Sequence, residues 1–448
     1  MAAPASVSAP DLHPAPACTA PMARVPGARL SGPAMLCLAL LPFALGHYLS
    51  CLLRTVNAVL APQLVDTAAL TPGDMGLLTS AYFLAFALAQ LPVGVALDRF
   101  GPRRVQVPML LLAAAGTFAF ASGTGFAQLL AARTVMGLGL AGCFMATVKA
   151  IAMWVAPERM PSVQGYLIAA GGLGAASSTL PVTLFLQHAD WRALFIILAL
   201  CCVGVALLVL LLAPAQPAAP RQPFGMADLA EVFRHPAFRE TASLVLVPHA
   251  VFFGIQGLWI GRWLTDAGRC SEQDVAWLLS IGMAAVIFGA IAVGTVTEWA
   301  GRRGAEPITV AGIGVALFVA VQCGFVVAWQ PAASPASFSC CAMLSVLFAL
   351  VGTVTGIEYT IVARALPPAL AGRAATCLNL LIFTGAFLVQ AGFGLVVDLW
   401  PPDAAQRYPG AAYRAAFLLL VVLQLPGIVR FFRRRRRPLL ANPVESPL

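Results

Sequence analysis

Apolar runs long enough to cross a bilayer follow one another almost without pause from residue 34 to residue 432, and that repetition leaves the chain few ways to fold. A helix needs about 20 apolar residues to cross roughly 30 Å of hydrocarbon. Runs of that order fall at 34–62, 75–97, 105–122, 127–155, 162–186, 191–213, 240–264, 274–296, 306–328, 337–363, 372–398 and 411–432. Twelve spanning helices are expected, because in lipid a helix satisfies its backbone polar groups internally. Composition closes the soluble alternative. With 60% hydrophobic and 10% charged residues and a mean hydropathy of +0.87, against about 25% charged residues in soluble proteins, the chain has too little polar material to cover an aqueous surface. No polar block is long enough for a folded aqueous domain, which excludes a soluble enzyme.

The polar segments set the organisation. Residues 1–33, rich in Pro and Ala, lack the pattern of a signal peptide and are expected to form a disordered cytoplasmic tail. The longest internal polar stretch, 214–239, reads as a central cytoplasmic loop between six-helix bundles at 34–213 and 240–432. Residues 433–448 open with Arg433 to Arg437, a basic cytoplasmic tail beside the last span, so the net charge of +9 points to the membrane surface and no nucleic-acid partner is expected. Short cytoplasmic loops accumulate Arg and Lys. Arg24, Arg29, Arg99, Arg103, Arg104, Arg159, Arg221, Arg234, Arg239, Arg302, Arg303, Arg364, Arg373, Arg430 and Arg433 to Arg437 fall on the side of the two ends, and only Arg192, Arg262, Arg269, Arg407 and Arg414 on the other. Both termini are therefore expected in the cytoplasm. The 11 cysteines fall mostly inside apolar runs and form neither a disulfide framework nor a zinc pattern.

An internal repeat supports two halves. A shift of 200 places Asp74 on Asp274, Leu78 on Leu278, Ser80 on Ser280, Gly94 on Gly294, Asp98 on Glu298, Gly101 on Gly301 and Arg103 on Arg303. Parallel repeats of this kind are a transporter architecture. The loop after the second span reads GVALDRFGPRR, Gly94 to Arg104, and its counterpart reads GTVTEWAGRR, Gly294 to Arg303. Here the chain resembles the major facilitator superfamily, whose signature loop runs Gly-x-x-x-Asp-Arg-x-Gly-Arg-Arg. Arg133-Thr-Val-Met-Gly-Leu-Gly and Asp190-Trp191-Arg192 with Phe195 resemble further family patterns. The fifth-span antiporter pattern is matched at Gly165 and Gly174, but Ser178, Thr179, Val182 and Thr183 occupy its remaining places, which disfavours antiport. The resemblance implies the major facilitator fold, all-α with 12 transmembrane helices in two pseudo-symmetric six-helix bundles. An Asp such as Asp98 at a helix end can pair with nearby Arg or with a helix N-terminus, and the glycines let helices approach closely. Gly94, Asp98, Arg99, Gly101, Arg103, Arg104, Arg133, Gly294, Glu298, Gly301, Arg302 and Arg303 are thus the gating and coupling candidates, against the plainer alternative that the loop arginines only fix topology.

Ionisable residues inside a span are costly and point to function. His47, Ser50, Arg54 and Asn57 share one face of the first span. The resemblance implies that spans 1, 4, 7 and 10 line a central cavity into which that face looks; the alternative is a polar network joining helices. His249 and Gln256 share a face of the seventh span, as do Asn379, Phe383 and Gln390 in the eleventh, suited either to orienting a solute or to bridging helices. Lys149, the sole lysine beside 26 arginines, lies in the fourth span, either in the cavity or snorkelling to the surface. Matching Pro157 to Pro367 sets Glu358 opposite Lys149, so the two either pair across the cavity or Glu358 pairs within its own half, for example with Arg364. His47 and Cys51 share a face, but no third ligand is evident and no metal is expected.

The expected activity is secondary active transport by alternating access. The first span and the Lys149-x-x-x-x-Trp154 end of the fourth are similar to bacterial uptake carriers, including the phagosomal amino-acid transporter group and anion-cation symporters. They imply a bacterial inner-membrane protein moving a small anionic or zwitterionic solute, an amino acid or organic acid, by proton-coupled symport. Arg54, Asn57, His47, Lys149, His249, Gln256, Asn379 and Gln390 are the substrate-binding candidates, and Glu358 joins the coupling set. No phosphate-binding loop is present, so the drive is a proton or other ion gradient and no cofactor is expected. The partners are the solute and the bilayer, and the chain is expected to be a monomer. Proton-antiport efflux and a transporter-like receptor that does not translocate are the alternatives.

Overall fold

The computed structural model describes residues 33–68, 70–155, 160–214, 226–327, 335–366 and 368–435. The outer parts of both tails, residues 215–225 of the central loop, and Pro157, Arg159 and Pro367 lie outside the described residues. Among the described residues no strand occurs and 11 helices are long and apolar enough to cross a membrane. They are α1 (Leu38–Ala61), α2 (Pro72–Ser122), α3 (Phe126–Trp154), α4 (Gly165–Leu186) and α5 (Trp191–Leu212), then α7 (Pro236–Asp266), α8 (Glu272–Arg302), α9 (Pro307–Val327), α10 (Phe338–Val362), α11 (Arg373–Val397) and α12 (Gly410–Arg435). A short helix, α6 (Met226–Arg234), occupies part of what the sequence presents as a central loop. Its Val232 side chain packs with Phe238 against Cys377, Leu378 and Ile382 of α11, which explains why that stretch is ordered as helix.

The 51 residues of α2 would run about 75 Å if straight, more than twice the hydrocarbon thickness. The chain turns at Gly101, whose φ of 79° and ψ of 167° lie outside the helical region. Two expected spans, 75–97 and 105–122, are the two arms of this one element. After α8 the corresponding turn falls on Gly304, at φ 81°, and not on Gly301 as the repeat alignment suggests. The start of the repeat does match in chemistry. Thr71 caps α2 by accepting from the Asp74 amide at 3.1 Å, and Ser271 caps α8 by accepting from the Asp274 amide at 3.2 Å. In the first case the Asp74 carboxylate returns a bond to the Thr71 amide at 3.1 Å, completing a capping box.

Five of the spanning helices are interrupted midway. α1 breaks at Val56, α3 at Ala141 and Gly142, α4 at Ser178 and Thr179; α7 widens into a π-turn over Ile255–Trp259, and α10 tightens into a 3-10 turn over Thr353–Ile357. Carbonyls freed at such breaks have no water to turn to in lipid. Hydroxyls beside the breaks add bonds to neighbouring carbonyls: Thr55 donates to the Cys51 carbonyl at 2.9 Å, Ser178 to Ala175 at 2.7 Å, Thr353 to Leu350 at 2.7 Å and Thr355 to Gly352 at 2.8 Å.

The helices before and after residues 215–225 meet on one side of the molecule. At the far end, opposite the 98–104 and 298–303 loops, Gly76 of α2 lies against Gln390 and Gly394 of α11, Gly261 of α7 against the Ala58 carbonyl of α1, and the Thr179 hydroxyl of α4 is 2.8 Å from Ser280 of α8. At the loop end, which we call the motif end, a Cβ added to Gly94 or Gly294 would meet no atom within 4 Å. The close helix approach expected there is not made, so the groups seal at the far end and part at the motif end.

Candidate functional site

The breaks converge on one polar cluster. Arg54 sits just before the α1 break, half-buried, with its guanidinium 3.6 Å from the Cys51 sulfur and 5.1 Å from the centre of the Phe253 ring on α7. Among the described residues no carboxylate lies within ion-pair distance of it. His47 is 3.8 Å from the same sulfur and tilts against Phe144 of α3, with ring centres 5.1 Å apart. Beneath Arg54 an aromatic floor joins the two helix groups: Phe253 lies 5.4 Å from Phe383, which lies 4.6 Å from Phe86 and stacks on Phe83 at 5.9 Å. Tyr359, half-buried beside the α10 break, donates a short hydrogen bond to Asn379 of α11.

His249 and Glu358 form the second part. The imidazole Nδ1 is 2.7 Å from a carboxylate oxygen, with side chains 6% and 0% exposed, and the other oxygen of Glu358 has no partner. The Glu358 carboxylate therefore pairs within its own half, with His249 and not with Arg364. Lys149 finds a different acid, Asp98 of the signature loop, at 2.7 Å. The expected pairing of Lys149 with Glu358 is thus replaced by two pairings, because each charge has a nearer partner on its own side while the motif end stands apart. They differ in strength. Lys149 and Asp98 are 36% and 69% exposed, and an ion pair of that kind contributes about 0–1 kcal/mol, whereas breaking a buried pair costs about 3–5 kcal/mol. The first is a contact that a change of state can break; the second ties α7 to α10.

Several candidates serve the scaffold. Asn57 is fully buried and donates to Thr79 of α2 at 3.1 Å, so it bridges helices and does not face the cluster. The Gln390 side chain donates to the Gly254 carbonyl at 3.1 Å while the Gln390 backbone carbonyl accepts from the Trp259 indole at 3.0 Å, clamping the widened turn of α7. Gln256 lies in that turn, 8% exposed, facing Gly282 of α8. Arg133, wholly buried, donates to the Leu53 carbonyl of α1 at 2.9 Å and covers Tyr82, far from the signature loop. In that loop Arg103 donates to the Leu210 carbonyl at 2.6 Å and, with Arg104, lines a groove of about 350 Å³, while Arg99 lies over Phe100. In its counterpart Arg303 lies over Trp299, and Arg302 is 3.9 Å from an exposed Glu298. Among the described residues neither loop reaches across to the opposite helix group, so no latch between the halves is made there in this state.

Phe253 and Tyr359 are the participants that the sequence reading missed. Phe253 stands four residues after His249 on the same helix face, and Tyr359 follows Glu358, so both carried a positional signal. Their apolar bodies hid it among 26 Phe residues and a largely apolar chain.

The Major Facilitator Superfamily model matches residues 43–390. The chain belongs to the major facilitator superfamily. The superfamily and the relatives this chain matches are transporters, which are not enzymes. This superfamily member is 29% identical over 166 residues to a protein of Cupriavidus necator described as "Probable sulfoacetate transporter SauU", the match covering 36% of this chain and 38% of that one. It is 29% identical over 262 residues to the "Probable L-galactonate transporter" of Escherichia coli, covering 53% and 56% respectively. The chain thus spans between about a third and a little over half the length of these relatives. In fold it is similar to a bacterial homolog of the human lysosomal transporter Spinster, solved in an inward-facing, unoccupied conformation, with a TM-score of 0.72 and 18% identity over 90% of this chain and 98% of that one.

Proposed function

We propose that this superfamily member moves small organic anions across a bacterial inner membrane by proton-coupled symport, with Arg54 as the charge that receives the solute. The observation that carries the reading is the unpaired guanidinium. A half-buried cation without a carboxylate partner among the described residues, set between the helix groups at the breaks of α1 and α7, is costly unless a ligand supplies the missing charge. Tyr359, bonded to Asn379, and His47, which shares the Cys51 sulfur with Arg54, add polar groups beside it, and the Phe253–Phe383 floor offers an apolar surface to a short carbon skeleton. Relatives described as carriers of sulfoacetate and L-galactonate support an anionic solute. In this reading the motif end faces the cytoplasm, as the distribution of Arg predicts, and the solute leaves on that side.

The test is ligand-induced stabilisation, since a ligand raises the melting temperature of the state it binds. Purified protein is heated with sulfoacetate, L-galactonate, nicotinate, neutral amino acids and neutral sugars. The carboxylates and sulfonates should stabilise wild type, and Arg54→Ala should remove that response while the protein still elutes as a single species. Stabilisation by neutral sugars alone, or an unchanged response in Arg54→Ala, would reject Arg54 as the anion site. Counterflow in proteoliposomes separates a carrier from a receptor, because only a carrier exchanges preloaded solute for external label.

A further inference from the structure

We infer that the His249–Glu358 pair is the proton-binding site of this protein and that it is linked to the anion site through Phe253. The inference rests on the anion reading above for its coupling and on geometry for its location. Arg54 lies over the Phe253 ring at 5.1 Å, and His249 stacks on the same ring at 5.0 Å with an interplanar angle of 13°. A fixed cation and a titratable imidazole thus share one aromatic neighbour, and the imidazole bonds a carboxylate that is wholly buried with one oxygen unpartnered.

The charge states decide what such an arrangement does. The pair with a single proton, on Nδ1 and donated to the carboxylate, carries −1. With one proton added it is neutral overall, as imidazolium with carboxylate or as imidazole with carboxylic acid. Either state has a proton with which to bridge Nδ1 and the carboxylate oxygen, which stand 2.7 Å apart. Burial opposes the −1 state, because a desolvated carboxylate with one empty acceptor is costly. Arg54 favours it while its own charge is unanswered. An anion on Arg54 removes that support, and the pair then takes a proton from solution. The cluster stays near neutrality by binding one proton with each anionic charge it receives, and linkage makes the effect reciprocal.

Other charges around Glu358 do not replace this control. From its own helix the nearby titratable groups are Tyr359 and Arg364, the latter exposed beyond the next turn. From α11 come the buried thiol of Cys377, the neutral Asn379 and, about 9 Å nearer the motif end along the helix, Arg373. From α9 the sole titratable side chain is Cys323, which is exposed. From α7 it is His249 itself, and from α1 Arg54, with His47 and Cys51 behind it.

The experiment measures protons directly. Protein in weakly buffered detergent solution with a pH indicator is mixed with sulfoacetate, L-galactonate or nicotinate, and proton uptake is read beside binding. Wild type should take up close to one proton per bound anionic charge, and its affinity should fall about tenfold per pH unit above the titration point of the pair. Glu358→Gln, which keeps an acceptor for Nδ1, and His249→Gln should bind the same anions with no proton uptake and no pH slope. Uptake that persists in both variants, or binding by wild type without uptake, overturns the inference. Should none of the three anions bind, the anion reading fails and the site is judged alone: acid-base titration of ligand-free wild type must count one proton that Glu358→Gln lacks, and coincident titration curves would overturn it.

Discussion

Asp98 is exposed, its bond to Lys149 is worth about 0–1 kcal/mol, and it stands at the end of the molecule where the helix groups part. Asp98→Asn should therefore leave the melting temperature nearly unchanged and anion binding intact, yet slow proteoliposome transport by an amount equivalent to about 1–3 kcal/mol of conformational bias. Equal losses of binding and transport would move Asp98 into the solute site. At the far end the Asp403 carboxyl is held below the usual carboxylate range, chiefly by the Arg407 backbone amide and then by the Arg269 side chain, at 2.9 and 3.1 Å. A depressed folded value means that its contribution to stability is present above the unfolded carboxylate value and is lost as pH falls through the folded one. Melting curves of wild type and Asp403→Asn should accordingly differ at neutral pH and converge on acidification; a gap that widened in acid would refute the assignment. Residue identity alone marked Arg54, His249, Glu358 and Lys149 as costly in lipid. Their partners were not legible, because pairing depends on which ends of the bundle touch, and nothing along a single chain records that.

Broken helices concentrate function because they bring backbone groups and hydroxyls to mid-membrane. The breaks of α1 and α4 are joined by the Thr55 and Ser178 hydroxyls at 2.8 Å, while each also bonds a carbonyl of its own helix. Thr55→Val should cost about 1 kcal/mol in thermal stability. Combined with Ser178→Ala it should cost less than the sum of the two single changes, a non-additivity that a double-mutant cycle measures. Full additivity would show that the two breaks are independent. Most span boundaries were legible to within a few residues, since length and hydropathy set them, although α2 joins two expected spans and α8 runs on from the expected end at 296 to Arg302. The interruptions were not, because apolar periodicity runs through Val56 and Ile255 unchanged and Ser, Thr and Gly occur in unbroken stretches as well. The α6 helix escaped notice for the opposite reason: its polar composition resembles a loop until α11 gives it something to pack on.

Two sets of glycines describe the molecule as a whole. Gly76, Gly261 and Gly394 are filled by the opposite helix group at the far end, whereas Gly94 and Gly294 face open space at the motif end. Gly94→Leu should be tolerated in this state and block closure of the motif end, while Gly394→Leu should prevent the far end from sealing. Distances between spin labels placed at both ends should shift in opposite senses for the two variants, and shifts in the same sense would refute the two-state picture. The superfamily architecture was legible through the resemblance carried by the Gly94 to Arg104 loop, and the repeat through the offset of 200 that sets Asp74 on Asp274; the state adopted was not, since both states share one sequence. The chain also has one lysine among 448 residues, held by a breakable contact at the parted end. Apart from its amino terminus, the molecule therefore offers a single primary amine to acylating chemistry. A fluorophore or crosslinker aimed at amines would attach at Lys149 without any engineered residue, and its rate of attachment would report, molecule by molecule, how often Asp98 lets go.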